Sequence, residues 1–317
     1  YSVVVALGSL GVVHSFVIEV RNAYRLAEHR AVVPWGRLRE RLEQGNVQPE
    51  NGPGTGEKIR HFEFLISPYG DGKNNQCLVT YRWEPSGGAK THAGRSRPFL
   101  ATLLTGIREF DQVYALALST WPFLSKAVVN LELTQLVDKL YIAQSYQVFN
   151  LGDANYVPAY SSELSFSAEE NDPLHGPYQY LRAIDRLLEL ATEQAAHGRY
   201  HNIPLSVRFV AASPHLLALS QGRKSAIIEM PQLAHVPGGW DLLRFYERRM
   251  FDEFRTRAHW GQANFIVGAD RILATYPGVF ETWLGVRARL CPNGTFDNSF
   301  TERMGLRALT RGVASPS

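Results

Sequence analysis

The sequence predicts an α+β fold: a mostly antiparallel sheet with helices over one face. Period-two alternation marks strands at 60–67, 161–167, 204–210 and 225–230, and 77–83 and 141–149 read as strands beside them. Two longer runs, 177–197 and 237–257, carry apolar residues at helical spacing instead. The chain has 317 residues, 45% of them hydrophobic, enough for one large or two ordinary domains with real cores.

The elements follow in order. Residues 3–7 and 12–20 are rich in β-branched side chains and read as strands. Gly8-Ser9-Leu10-Gly11 links them tightly, since glycine tolerates positive φ and a close backbone approach. A helix is expected over 37–44, with Gly45 as its stop. In 60–67, Phe62, Phe64 and Ile66 face one side, and a turn rich in Gly, Asp and Asn then leads to 77–83, which suggests a hairpin. Lys90, Arg95 and Arg97 sit in a Gly/Ser-rich loop and read as solvated. From 99 to 140 the pattern is helical, broken at Trp121-Pro122 and apolar on more than one face, as for a buried helix pair or a lid. In 204–210, Leu205, Val207 and Phe209 face the core, leaving Ser206 and Arg208 together on the opposite side. Glu229, in the next strand, can pair with Arg208 if it shares that side.

Charge and cysteine usage exclude several classes. Lys+Arg number 33 against 30 Asp+Glu, a net +3 that is too weak to imply nucleic acid. Cys77 and Cys291 cannot make a disulfide framework, and no Cys/His cluster has metal-ligand spacing. No stretch is long and apolar enough to span a bilayer. The chain starts inside an apolar run without a Met, and reads as a fragment or as one of two chains cut from a longer protein.

The most informative stretch is Arg257 to Leu306. It holds His259-Trp260-Gly261, then Tyr276-Pro277, Trp283 and Arg287, and closes with Pro292, Gly294, Phe296 and Asn298. This pattern resembles the C-terminal end of the aldonolactone/alditol oxidase group, FAD-linked oxidoreductases of the vanillyl-alcohol-oxidase superfamily. Gly8 to Val13 (GSLGVV) resembles the segment that ends the FAD domain in these enzymes. Glu163 stands where a family strand carries a Glu, and Ser206-x-Arg208 where another carries Glu-x-Arg. Two positions depart from the pattern: Gln262 replaces the Lys after His-Trp-Gly, and Ser206 replaces the Glu.

The resemblance implies FAD as cofactor. It places Arg208, His259, Glu163, Gln262 and Ser206 at the catalytic site. It places Gly8, Ser9, Leu10, Gly11, Val12, His259 and Asn298 near the flavin. Residues 1–25 would finish an FAD-binding domain, 26–256 form the substrate domain, and 257–317 return toward the flavin. The rest of the FAD domain would come from an upstream polypeptide. The expected function is oxidation of a small-molecule alcohol. Loss of one acid and one base favours a less hydroxylated or apolar substrate. The alternative is an altered relative that serves as a non-enzymatic interaction or ligand-binding domain.

Overall fold

The computed structural model describes residues 1–86, 116–149 and 158–314. The basic loop at Lys90–Arg97 and the first part of the 99–140 run lie outside the described residues. Eight strands form one sheet in the order β4-β1-β3-β2-β6-β7-β5-β8. They are β1 (Arg25–Pro34), β2 (His61–Ile66), β3 (Gln76–Trp83), β4 (Asp138–Gln144), β5 (Ala159–Ser167), β6 (Leu205–Val210), β7 (Ser225–Leu233) and β8 (Arg257–Ala258). Every neighbouring pair is antiparallel.

The period-two pattern decides the faces. Phe64, Ile66, Val79, Tyr81, Leu164, Phe166, Val207, Ile228 and Met230 all point to one side and are buried there. Helices α1 (Trp35–Glu43), α4 (Gln179–Ala196) and α5 (Gly239–Phe254) cover that side with Leu38, Ile184, Leu187, Leu243 and Tyr246. Between α1 and α4 lie α2 (Leu124–Gln135) and the short α3 (Ser145–Phe149). The chain ends in α6 (Ala269–Thr275), α7 (Val279–Leu290), α8 (Ser299–Arg303) and α9 (Leu306–Ala314). These last helices build a second core from Val267, Ile272, Tyr276, Phe280, Trp283, Met304 and Leu306. Leu10 belongs to this second core, and the Trp283 indole N–H donates to the Val5 carbonyl at 3.0 Å. The first ten residues are therefore fastened to the last fifty rather than to the sheet.

Three expectations are corrected. Residues 3–7 and 12–20 are not strands: Val3–Val5 is a single 3-10 turn, and residues 11–24 carry no regular structure. Their composition favours a strand, but a strand needs a neighbour, and no described strand pairs with them. Second, the 141–149 strand stops at Gln144, and Ser145–Phe149 turns into a helix. The turn brings Phe149 edge-on to His61 at 5.1 Å and under the Arg82 guanidinium at 5.1 Å. Third, β1 was not anticipated, yet it pairs with both β3 and β4. Its polar residues Arg25, Glu28, His29 and Arg30 hid it. Glu28 is fully buried because Arg82 and Arg30 grip its carboxylate at 2.7 and 3.1 Å.

Candidate active site

The face of the sheet opposite α1, α4 and α5 is polar around β5, β6 and β7, and its side chains meet by register. Glu163 on β5 stands directly opposite Glu229 on β7, and Glu229 stands opposite Ser206 on β6. Arg208, two residues beyond Ser206, points to the same side and lies opposite Glu63 on β2. Its Nη2 leans toward the acids, 3.0 Å from Glu163 Oε2 and 3.5 Å from Glu229 Oε2. The Glu163 side chain is only 7% exposed, whereas Arg208 is 46% exposed. A guanidinium with one edge on a buried carboxylate and the other edge open is placed to meet a ligand.

The segment after α5 closes the site from the side. β8 pairs with Leu164 and Ser165. The chain then runs along the free edge of β5, with His259 N–H donating to the Glu163 carbonyl at 2.9 Å and Ala263 N–H to the Ser161 carbonyl at 3.0 Å. Asn264 holds the loop shut, its amide donating to the His259 carbonyl at 3.0 Å, and Arg303 from α8 grips Asn264 Oδ1 at 2.7 Å. The Trp260 indole anchors on the Leu217 carbonyl at 2.8 Å. Gln262 is thereby set over the acid pair: its Nε2 lies 2.9 Å from Glu163 Oε2, and its Oε1 lies 3.0 Å from Ser161 Oγ. Ser161 Oγ also lies 2.9 Å from Glu229 Oε1. The Gly261 N–H donates to His259 Nδ1 at 3.1 Å, which leaves Nε2 as the ring's hydrogen donor.

Burial pushes the Glu163 carboxyl above its usual range; Arg208 opposes the rise and Glu229 adds to it. A buried carboxyl whose affinity for protons is raised in this way suits general acid–base work on a hydroxyl group.

The structure thus joins Glu163, Arg208 and Gln262 by direct contacts, with His259 beside them on the same edge. Glu229 pairs with Arg208 as its position on the shared face suggested. Ser206 lies on that face without a contact to the acids. Ser161 was missed, although it extends the Glu163–Ser165 alternation by one step. Of the other residues expected near the flavin, Ser9 and Leu10 are buried, Gly8 and Val12 exposed. Asn298 caps α8, its side chain accepting from the Phe300 and Thr301 N–H groups at 3.0 and 3.1 Å. Among the described residues no His, Cys, Asp and Glu group could hold a metal ion, and no helix is long and apolar enough to cross a membrane.

Solved structures share this architecture. Cholesterol oxidase from B. sterolicum matches with a TM-score of 0.61 at 13% identity, covering 89% of this chain and 60% of that one. A solvent-stable cholesterol oxidase matches at 0.56 and 11% identity, again over 89% of this chain and 60% of that one. At such identities the likeness is one of fold, and this chain spans about 60% of the length of both oxidases. No curated protein sequence matches. The shared fold is α+β, an antiparallel sheet with its main helical layer on one face. The chain belongs to the D-arabinono-1,4-lactone oxidase family, whose model matches residues 52–304, and FAD is the cofactor of that family.

Proposed function

We propose that this chain is the substrate-binding and C-terminal part of an FAD-dependent oxidoreductase that acts on the CH–OH group of a small-molecule alcohol or lactone. The observation that carries the reading is the cluster of Glu163, Arg208, Glu229 and Gln262. Four separate segments deliver these side chains to one polar face, where Arg208 stays half open.

The residues present fit a flavin. Gly8 and Gly11 hold positive φ of 64° and 146°, and a Cβ on either would meet nothing within 4 Å, so their backbone is bare on that side. Arg208 and the His259 Nε2–H offer a cation and a donor, a set that suits an electron-rich, reduced ring. Bound FAD would supply the two-electron acceptor. This chain's residues would do the rest. Arg208 would bind the substrate oxygen and fix its distance from Glu163. Glu163 would accept the hydroxyl proton, aided by a buried setting in which water competes poorly. Gln262 and Ser161 would hold the acid pair in place.

Under this reading residues 1–25 finish the FAD-binding domain, 26–256 form the substrate domain and 257–317 return toward the flavin. The fastening of Leu10 and Val5 to the terminal helices supports that division. The remainder of the FAD domain would be an upstream polypeptide. Gln262 still hydrogen-bonds Glu163, which speaks against a dismantled site and against a purely structural role. Anaerobic mixing of the FAD-loaded full-length protein with a panel of alcohols and lactones tests the proposal. Bleaching of the flavin by at least one is expected. A flavin that none of them reduces, or a protein that takes up no FAD, would overturn it.

A further inference from the structure

We propose that Glu163 and Glu229 share a single proton at neutral pH, seated by the Gln262 amide, so that the cluster is electrically neutral and takes a neutral substrate. The last clause rests on the reading of this cluster as the substrate site; the proton itself does not.

The inference comes from counting hydrogens. Ser161 has one hydroxyl hydrogen but faces two oxygens, Glu229 Oε1 at 2.9 Å and Gln262 Oε1 at 3.0 Å. If Ser161 donates to Gln262, the Glu229 contact lacks a hydrogen unless Glu229 carries one. If Ser161 donates to Glu229, the Gln262 carbonyl oxygen meets a bare oxygen at 3.0 Å. Flipping the amide cures that second contact, since its NH2 then donates to Ser161. The flip turns the amide oxygen onto Glu163 Oε2 at 2.9 Å, and that contact now needs a proton on Glu163. Every arrangement in which all three contacts carry a hydrogen therefore places one proton on the acid pair: on Glu229 in one amide orientation, on Glu163 in the other. Turning the amide moves the seat from one acid to the other.

The charges agree. Glu163 comes from β5, Glu229 from β7 and Arg208 from β6, with the uncharged Gln262 and Ser161 completing the contacts. His259 lies beside Glu163 through its backbone, with its Nδ1 occupied by the Gly261 N–H. Glu63, opposite Arg208 on β2, is engaged by Arg82 at 2.8 Å. Two carboxyls therefore face one guanidinium, and a proton supplies the second positive charge. Two carboxylates held this close do not both ionise readily. Burial raises the Glu163 carboxyl in the same direction.

The test is vibrational and needs neither turnover nor an identified substrate. The C=O stretch of a protonated carboxylic acid is read in the full-length protein at pH 7, as wild type minus variant. Difference spectra isolate this pair from Glu247, buried beneath Ser162, whose carboxyl burial also raises. Glu163→Gln, Glu229→Gln and Gln262→Lys should each remove one carboxylic acid band. The first two leave a single acid facing Arg208; the third adds a cation in place of the proton. Gln262→Lys alters neither acid, so it keeps the test open if an acid variant fails to fold. A band that survives in any folded variant overturns the proposal. Band loss without any alcohol-driven flavin reduction would sustain the shared proton and sink the enzymatic reading.

Discussion

Glu28→Gln removes a buried carboxylate that ties Arg82 and Arg30 together on the polar face. Glu28 is fully buried, its Oε2 accepts from Arg82 Nε at 2.7 Å, and its Oε1 lies 3.1 Å from Arg30 Nε. Arg82 and Arg30 are themselves 3% and 8% exposed. Breaking a buried ion pair by removing one partner costs about 3–5 kcal/mol, mostly because a buried charge is left uncompensated. Here two guanidiniums lose a partner at once, which argues for the upper part of that range. Arg82 keeps Glu63 at 2.8 Å, which discounts one of the two losses. The balance is about 3–4 kcal/mol, a fall in Tm on the order of 10 °C for a chain of this size. Urea unfolding followed by far-UV circular dichroism measures it, with the midpoint falling and the slope unchanged. Glu63→Gln should couple to Glu28→Gln, because both acids serve Arg82. A loss under about 1 kcal/mol, the worth of an exposed pair, would refute the buried charge row.

Three further outcomes are expected. Asp172 is held down to about 2 from its ordinary 3.8: burial alone would raise it, but hydrogen bonds from the Ser167 hydroxyl and the Leu174 and His175 N–H groups outweigh that. A lowered carboxyl stabilises the fold above its ordinary range and loses that contribution as pH falls through the folded value. Asp172→Asn should therefore cost about 2 kcal/mol at pH 7 and only about 0.4 kcal/mol near pH 2, measured by denaturant unfolding across pH; a pH-independent cost would contradict the cause. Trp283→Phe keeps the ring in its core but loses the bond to Val5. It should cost about 1 kcal/mol and speed protease cleavage within residues 11–24; unchanged cleavage there would show that the first segment is held by something else. A Cβ at Gly54 would sit 2.8 Å from Trp83 Cζ3 at a φ of 83°, so Gly54→Ala should destabilise by about 1–3 kcal/mol; a neutral effect in thermal unfolding would mean that this loop rearranges freely.

Much of the fold is legible in the sequence where alternation and burial agree. β2, β3, β5, β6 and β7 each place an apolar row on the helices and a polar row opposite, so one period predicts both core and site. That same period put Arg208 and Glu229 on one face. β1 escapes because its buried charges are compensated from neighbouring strands, and such pairing is invisible in a linear chain. Residues 12–20 fail for the converse reason: their composition asks for a strand, but no described strand pairs with them. Ser161 has no motif of its own. Its importance arises only when the loop carrying Gln262 is zipped along the edge of β5.

The proposed function rests on Arg208 joining a buried acid to an open face, where substrate would meet flavin. Stopped-flow reduction of the FAD-loaded full-length protein, with the alcohol that bleaches it fastest, tests this most directly in Arg208→Met. The variant should keep its flavin and its fold, and the reduction rate should fall by about 100-fold or more, the usual loss when one positioned charge leaves a reacting site. Wild-type reduction rates in a folded, flavin-loaded Arg208→Met protein would contradict the assignment of this face as the active site.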